Sequence, residues 1–205
     1  MLTEQLLDRL VVTWRAHGVP GEEALVPGRQ VTSFTSDDGS LKVELPTELR
    51  TWWAWHDGQV TNWKGRPRAI APSLTPMSSA QSREWWQSSL EKAQEMAAEA
   101  PEGTPMSHAD YWWRSRWVPL FSDGSGYLVG DCSLGDPDVA PIRRIEWGPD
   151  LDEVARPRTD SFGQLVEWWI EALDLGLWGF DRDAQRWTWA PWDRALSDRY
   201  QGLIV

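Results

Sequence analysis

The chain has 205 residues, including 17 tryptophans and a single cysteine, Cys132, and its formal net charge is −11 at pH 7. This length fits one ordinary domain, or two small ones at most, and the lone cysteine excludes an internal disulfide. The acidic balance argues against nucleic acid or anionic lipid as partners and suits a basic protein, although acidic charge can also serve solubility alone. No run of about 18 apolar residues occurs, and the first ten residues lack a secretory signal pattern, so the sequence predicts a cytoplasmic protein without a membrane span.

The first 45 residues show a helical pattern followed by strand patterns. Residues 3–17 carry an apolar stripe at helical spacing and predict an amphipathic helix. Residues 19–30 are rich in glycine and proline, and we expect a loop with at most one helical turn. Residues 31–36 and 41–45 alternate in polarity on either side of the Asp-Asp-Gly turn at 37–39, which predicts a β-hairpin.

The next segment, from Pro46 to Gly58, holds three tryptophans within four positions. Pro46 suits the first position of a helix, and Glu48 in the first turn suits the helix dipole. Trp52 and Trp53 fall on the apolar face of that helix, so we expect them in the core rather than on a ligand platform. Gly58 is expected to end the helix in a left-handed conformation.

The remaining chain gives one long helix, a set of strands and a second helix. A capping-box pattern opens a helix predicted over 79–99. Residues 117–132 read as two strands around an Asp-Gly turn, and 139–147 as a third strand. A second capping-box pattern opens a helix that runs from Ser161 to Gly176, and a hairpin around 181–184 follows. This order predicts an α+β fold, a single domain with a central antiparallel-rich sheet flanked by helices.

Residues that could carry chemistry are few. His56 and Asp57 are adjacent, but acid–base catalysis needs a positioned partner that the sequence does not show. No metal-binding or dinucleotide-binding motif is complete, so we predict no metal, no cofactor and no catalytic residue. Trp187, Trp189 and Trp192 could instead form a sugar-stacking platform, which keeps a carbohydrate-binding function open.

Four motifs in a fixed order resemble one family. They are Leu-Pro-Thr-Glu-Leu-Arg at 45–50 leading to Asp57-Gly58, Trp-Val-Pro-Leu-Phe at 117–121, Leu-Val-Gly-Asp at 128–131, and Ser-Phe-Gly-Gln-Leu-Val-Glu-Trp-Trp-Ile at 161–170. Together they resemble the SUKH superfamily, which includes fungal regulators of cell-wall assembly and bacterial immunity proteins of polymorphic toxin systems. The similarity covers roughly residues 2–176 of one SUKH-like domain spanning 1–205, and leaves a tryptophan-rich C-terminal extension at about 177–205.

The resemblance implies binding rather than catalysis. Bacterial members of the superfamily bind and neutralise a cognate toxin, often a basic nuclease or deaminase. The hypothesis is therefore a non-enzymatic immunity protein that occludes a basic toxin domain, and the alternative is a regulatory scaffold or carbohydrate-binding protein linked to cell-wall assembly. The candidate partner contacts are loop residues beside the predicted sheet: Asp57, Trp63, Asp123, Asp136 and Asp138. For each of the four aspartates, a turn-forming or capping role is the alternative.

Overall fold

The computed structural model describes residues 1–60, 70–72, 74–122, 126–146 and 159–189, and there the chain has the predicted mixed α+β architecture. The described helices are α1 (Glu4–Ala16), α2 (Gly21–Ala24), α3 (Thr47–Trp55), α4 (Ser79–Glu99), α5 (Ala109–Trp112) and α6 (Phe162–Asp174). The strands are β1 (Leu25–Pro27), β2 (Ser33–Thr35), β3 (Lys42–Glu44), β4 (His56–Gln59), β5 (Thr75–Pro76), β6 (Trp117–Ser122), β7 (Gly126–Asp131), β8 (Ile142–Glu146), β9 (Trp178–Asp181) and β10 (Arg186–Trp189).

A four-stranded antiparallel sheet lies at the centre, in the order β5-β6-β7-β8. Side chains from α1, α3 and α6 pack with one set of sheet residues, and side chains from α4 and α5 pack with another that includes Val129 and Ile145. Three two-stranded antiparallel ribbons, β1-β4, β2-β3 and β9-β10, lie outside this sheet. The predicted hairpins at 31–45 and around 181–184 are confirmed as β2-β3 and β9-β10.

The N-terminal region differs from the prediction at one ribbon. The segment 19–30, expected to be a loop, contains α2 and β1, and β1 pairs with β4. The helix predicted to reach Gly58 ends three residues earlier, at Trp55, because the following residues pair with β1 instead. Gly58 does adopt a left-handed conformation, with φ of 85°, but it lies within β4. A side chain at Gly58 would come within 2.8 Å of the Ser78 backbone nitrogen, so its glycine identity also permits close packing.

Tryptophan side chains form much of the core. Those that are almost fully buried are Trp14, Trp52, Trp53, Trp86, Trp113, Trp117 and Trp169. Trp52 lies at the centre of this group, since its ring contacts Phe162 at 4.8 Å and Phe121 at 5.4 Å between centroids. The expectation that Trp52 and Trp53 belong to the core is confirmed. Aromatic side chains of this size contribute large buried areas, so they supply much of the hydrophobic stabilisation.

A single buried carboxylate joins four distant segments. Glu48, in the first turn of α3, is fully buried. Its Oε1 accepts hydrogen bonds from the backbone N–H groups of Leu2 (2.6 Å) and Gly163 (3.0 Å). Its Oε2 accepts hydrogen bonds from those of Ala140 (2.8 Å) and Phe162 (3.0 Å). Glu48 therefore places a negative charge at the first turn of α6, where free N–H groups and the helix dipole favour an anion. It also lies in the first turn of its own helix, where the dipole favours it again.

The chain passes very close to α6 at this point. A Cβ atom on Gly163 would lie 2.4 Å from the backbone carbon of Met1, so the first residues can reach Glu48 only because residue 163 is glycine. The Met1 ammonium group also lies 3.8 Å from Glu48 Oε1. The N-terminal segment is thus fixed between α3 and α6 by backbone contacts as well as by the buried side chain of Leu2.

We expect Glu48→Gln to lower the free energy of unfolding by about 3 kcal/mol, because each carboxylate oxygen accepts two N–H groups and an amide NH₂ would face one such pair without an acceptor. Urea denaturation followed by circular dichroism measures the change. Glu44→Gln is the matched control, since Glu44 is exposed and its partner among the described residues is the neighbouring surface residue Lys42. Equal urea midpoints for the two variants would contradict the structural role of Glu48.

Candidate functional site

The predicted contact residues that the structure describes have local structural partners. Asp57 accepts a hydrogen bond from the Ser79 backbone N–H (2.5 Å) in the first turn of α4. Asp136 accepts the backbone N–H groups of Asp138 (2.8 Å) and Val139 (3.3 Å), which forms a turn. Asp138 accepts the hydroxyl of Thr47 (2.7 Å) at the start of α3. Trp63 and Asp123 lie outside the described residues.

Two of these aspartates lie at opposite ends of α3. Asp138 lies at the N-terminal end of α3, and Asp57 follows its C-terminal end. The helix has nine residues, so the two ends are about 13 Å apart along its axis. Each carboxylate stabilises a helix end or a turn, which is the alternative role considered above. Their role as partner contacts stays a prediction.

The adjacent His56 and Asp57 side chains have separate hydrogen-bond partners in the described part of the chain. The His56 ring is buried and lies edge-on to Trp52, with 4.1 Å between centroids. His56 Nδ1 accepts the backbone N–H of Gly58 (3.2 Å), whereas Asp57 bonds to Ser79. Burial lowers the pKa of His56 to about 3, so the ring is neutral near pH 7. A protonated histidine at the end of a helix would interact favourably with the helix dipole. The neutral His56 ring does not make this interaction with α3.

A second buried polar cluster lies where β7 ends. Asp131 Oδ2 accepts the Nε–H of Arg143 (2.6 Å), and both side chains are buried. Burial alone would raise the pKa of Asp131, but hydrogen bonds from Ser133 and the Arg143 charge outweigh it and hold that pKa below its usual value. Burial, with the nearby Asp131 charge, raises the pKa of Cys132 to about 12. The Cys132 thiol therefore stays protonated, as expected of an inert buried cysteine.

The proposed sugar-stacking platform is not available at Trp187. This ring is buried and lies edge-on to Trp178 and Phe180, at centroid distances of 6.1 and 5.6 Å. Trp187 therefore does not contribute an open ring to the alternative carbohydrate-binding platform, because its side chain packs in the main core. The side chains of Trp189 and Trp192 lie outside the described part.

The described ranges contain neither a metal-binding group of side chains nor a bilayer-spanning helix. Within them, no group of three or more histidine, cysteine or carboxylate side chains could hold a metal ion. Asp181 and Asp183 are close in sequence and could together bind a cation weakly. In the structure, Asp181 accepts the backbone N–H groups of Asp183 (3.0 Å) and Ala184 (2.9 Å) in a turn. None of the helices described combines the length and apolar character that a bilayer span requires.

The outer face of α4 carries a row of carboxylates. Glu84, Glu91, Glu95 and Glu99 are all exposed, and their spacings of seven, four and four residues place them on one side of the helix. We call these four residues the α4 acidic face. It extends over about 22 Å and lies opposite the side of α4 that buries its apolar residues. The sequence alone could have indicated this face, since the glutamates repeat at helical spacing opposite the apolar stripe. The candidate contacts predicted from the sequence lie in loops instead.

Beside the α4 acidic face lies an uncovered aromatic pair. Trp85 is 44% exposed, the highest exposure among the tryptophans whose side chains are described. Its ring contacts Tyr127 of β7 at 5.2 Å between centroids. Trp86, its neighbour, is buried instead and donates its ring N–H to the Ser115 carbonyl (2.8 Å). The pair presents a large, amphipathic and partly fixed surface next to negative charge.

Two cations lie on α4 near this face: Lys92 is exposed beside Glu91, and Arg83 is turned toward the β2-β3 ribbon. Arg83 forms an ion pair with Asp37 (2.5 Å) and donates to the Thr35 carbonyl (3.2 Å) on the β2-β3 ribbon. Its charge is therefore balanced beside that ribbon. The exposed carboxylates of α4 thus dominate the local field and favour a positively charged partner.

A scan against protein-family models finds no match to the chain, and a search of curated proteins finds none either.

Acidification should destabilise the protein through His56. Its folded-state pKa of about 3 lies below the ordinary histidine value of 6.5, so the unfolded chain binds a proton that the folded chain excludes. Stability is therefore lost as pH falls below 6.5, by about 2 kcal/mol between pH 7 and pH 5. Urea titrations at both pH values should show a smaller loss for His56→Phe than for the parent. The matched control is His17→Gln, which removes a histidine at the surface beside Asp174. If His56→Phe loses as much stability between pH 7 and pH 5 as the parent, His56 is not the cause of the loss.

Asp57 should matter for folding through the start of α4. We expect Asp57→Ala to lower the free energy of unfolding by about 1 kcal/mol, because the Ser79 N–H loses its acceptor. Asp57→Asn keeps an acceptor oxygen and should lose less. Thermal and urea denaturation measure both effects. If Asp57 acts only as a partner contact, neither substitution changes the denaturation midpoint.

Proposed function

We propose that this chain is a non-enzymatic, cytoplasmic protein-binding module, an immunity protein that binds a basic toxin domain and neutralises it by occlusion. The four motifs that resemble the SUKH superfamily support this class of function. The acidic net charge of −11 supports a basic partner. The resemblance of the four motifs does not indicate which surface binds the partner. The choice of surface is argued from exposed side chains and charge.

The observation that carries the proposal is the exposed Trp85 beside the α4 acidic face. Protein interfaces combine aromatic anchors, which supply most of the binding energy, with a polar and charged rim. Trp85 and Tyr127 provide such an anchor, and Glu91 and Glu95 provide carboxylates on the adjacent helix surface. Since most described tryptophans are buried in the core, an exposed one with a fixed aromatic neighbour is the exception that points to binding.

The two parts of this surface would act at different stages of binding. Carboxylates along about 22 Å of helix attract a basic domain over distances comparable with the Debye length, which raises the association rate. The aromatic pair then excludes water at the contact and sets the dissociation rate. A bound protein of standard interface size would cover a toxin's catalytic cleft or substrate channel without any chemistry by this chain.

The proposal expects the gene directly upstream to encode a multidomain toxin, and the test uses the C-terminal domain of that toxin. Binding is measured by surface plasmon resonance at two salt concentrations, and neutralisation by growth rescue on co-expression. We expect Trp85→Ala to raise the dissociation rate about tenfold or more. We expect Glu91→Lys with Glu95→Lys to lower the association rate and its dependence on salt.

The matched control carries Asp160→Lys and Glu167→Lys, which change the net charge equally at exposed positions before and within α6 rather than on α4. If the two double variants slow association equally, net charge alone drives the encounter and the α4 surface is wrong. A toxin that binds with unchanged kinetics to Trp85→Ala also refutes this surface. Loss of all neutralisation together with no measurable binding by the parent chain would refute the immunity function itself.

A further inference from the structure

An open groove runs along α1 on a part of the molecule that the α4 acidic face does not include. Its volume is about 490 Å³, which suits one or two inserted side chains of a ligand. Three walls form it: α1, the α2-β1 segment and the end of α3. The apolar lining residues are Val11, Val12, Leu25, Val26, Pro27 and Trp55.

The apolar part of the α1 groove is uncovered. Val12 is 61% exposed, although it lies on a helix whose opposite side is packed in the core. Trp55 lines the groove and rests on the buried rings of Trp14 and Trp52, at centroid distances of 6.1 and 5.6 Å. The site therefore has an exposed aliphatic edge and an indole that the core holds in place, which is the composition of a preformed pocket.

Charge gives the groove two different ends. At one end Arg15 and Glu22 close the groove with a two-pronged ion pair, with Nε and Nη2 distances to the carboxylate of 2.9 and 2.7 Å. At the other end Asp8 lines the groove, and Glu4 lies one turn earlier on the same side of α1. Neither Glu4 nor Asp8 has a hydrogen bond or ion pair with the residues that the structure describes, so their negative charge is available to a cation.

We propose that the α1 groove binds a segment of another protein that inserts one aliphatic or aromatic side chain between Val12 and Trp55. A lysine or arginine next to that side chain pairs with Asp8 and Glu4. Charge complementarity at the open end selects a basic segment, and the Arg15–Glu22 pair closes the other end. This site lies on different elements from Trp85 and does not depend on the immunity function.

The test uses synthetic peptides as probes of the full chain. The first is a fluorescein-labelled, amidated peptide Ser-Gly-Lys-Lys-Leu-Phe-Lys-Gly-Ser. In the second, serines replace Leu-Phe, and in the third, glutamates replace the lysines. Fluorescence anisotropy measures binding, and chemical-shift changes of backbone amides locate it. The first peptide should bind at least about tenfold more tightly than either of the others, because both apolar burial and charge pairing contribute.

Variants of the chain separate a built groove from general attraction. We expect Asp8→Lys and Val12→Ser each to weaken binding of the first peptide about fivefold or more. Glu167→Lys changes the net charge as Asp8→Lys does but lies on the exposed side of α6, outside both proposed surfaces, so it should have little effect. Both groove positions are exposed, and circular dichroism confirms that the variants fold.

Three outcomes would overturn the proposal. One is equal weakening by Asp8→Lys and Glu167→Lys, which indicates attraction by net charge alone. Another is equal binding of the peptide without Leu-Phe, which shows that the apolar slot is not used. The third is absence of binding by all three peptides, or shift changes confined to α4. None of these outcomes bears on toxin neutralisation, so the two proposals can fail separately.

Discussion

The carboxylate of Glu48 holds together segments that no continuous hydrophobic pattern connects. It binds the N-terminal residues, the loop before β8 and the first turn of α6, and it does so from the start of α3. A buried carboxylate is costly unless hydrogen bonds replace its water, and here four backbone donors do so. Because the α3 helix is fixed at this end, Trp52 and Trp53 are presented to the sheet and to α6 in one orientation.

Local signals in the sequence identified most of the elements. Ser78 with Gln81 forms the capping box that begins α4, and Ser161 caps α6 as its spacing predicts. The β1-β4 ribbon was missed because its pairing depends on contacts between distant residues, and its strands are too short for an alternation pattern. The role of Glu48 was missed for the same reason, since a glutamate in a first turn already has a sufficient local explanation.

The candidate surfaces were harder to predict than the fold. Aspartates in loops are common because they accept hydrogen bonds in turns and at helix starts. The described candidates, Asp57, Asp136 and Asp138, all make such hydrogen bonds. Helical spacing could place the glutamates of α4 on the solvent side, but it could not decide whether Trp85 or Trp86 faces inward. That choice depends on how α4 rotates against β6 and β7, where Ser82 donates to the Pro119 carbonyl and fixes the helix.

The long reach of the Glu48 contacts has a consequence during protein synthesis. The Leu2 donor precedes Glu48 by 46 positions, but the other three follow it by 92, 114 and 115 positions, so the carboxylate lacks its full set of donors until Gly163 has been made. At roughly 5–20 residues per second, the interval between translation of Glu48 and of Gly163 is on the order of ten seconds. Tryptophan side chains made before α6 lack their α6 partners throughout that time, so the core cannot close completely until α6 has been made.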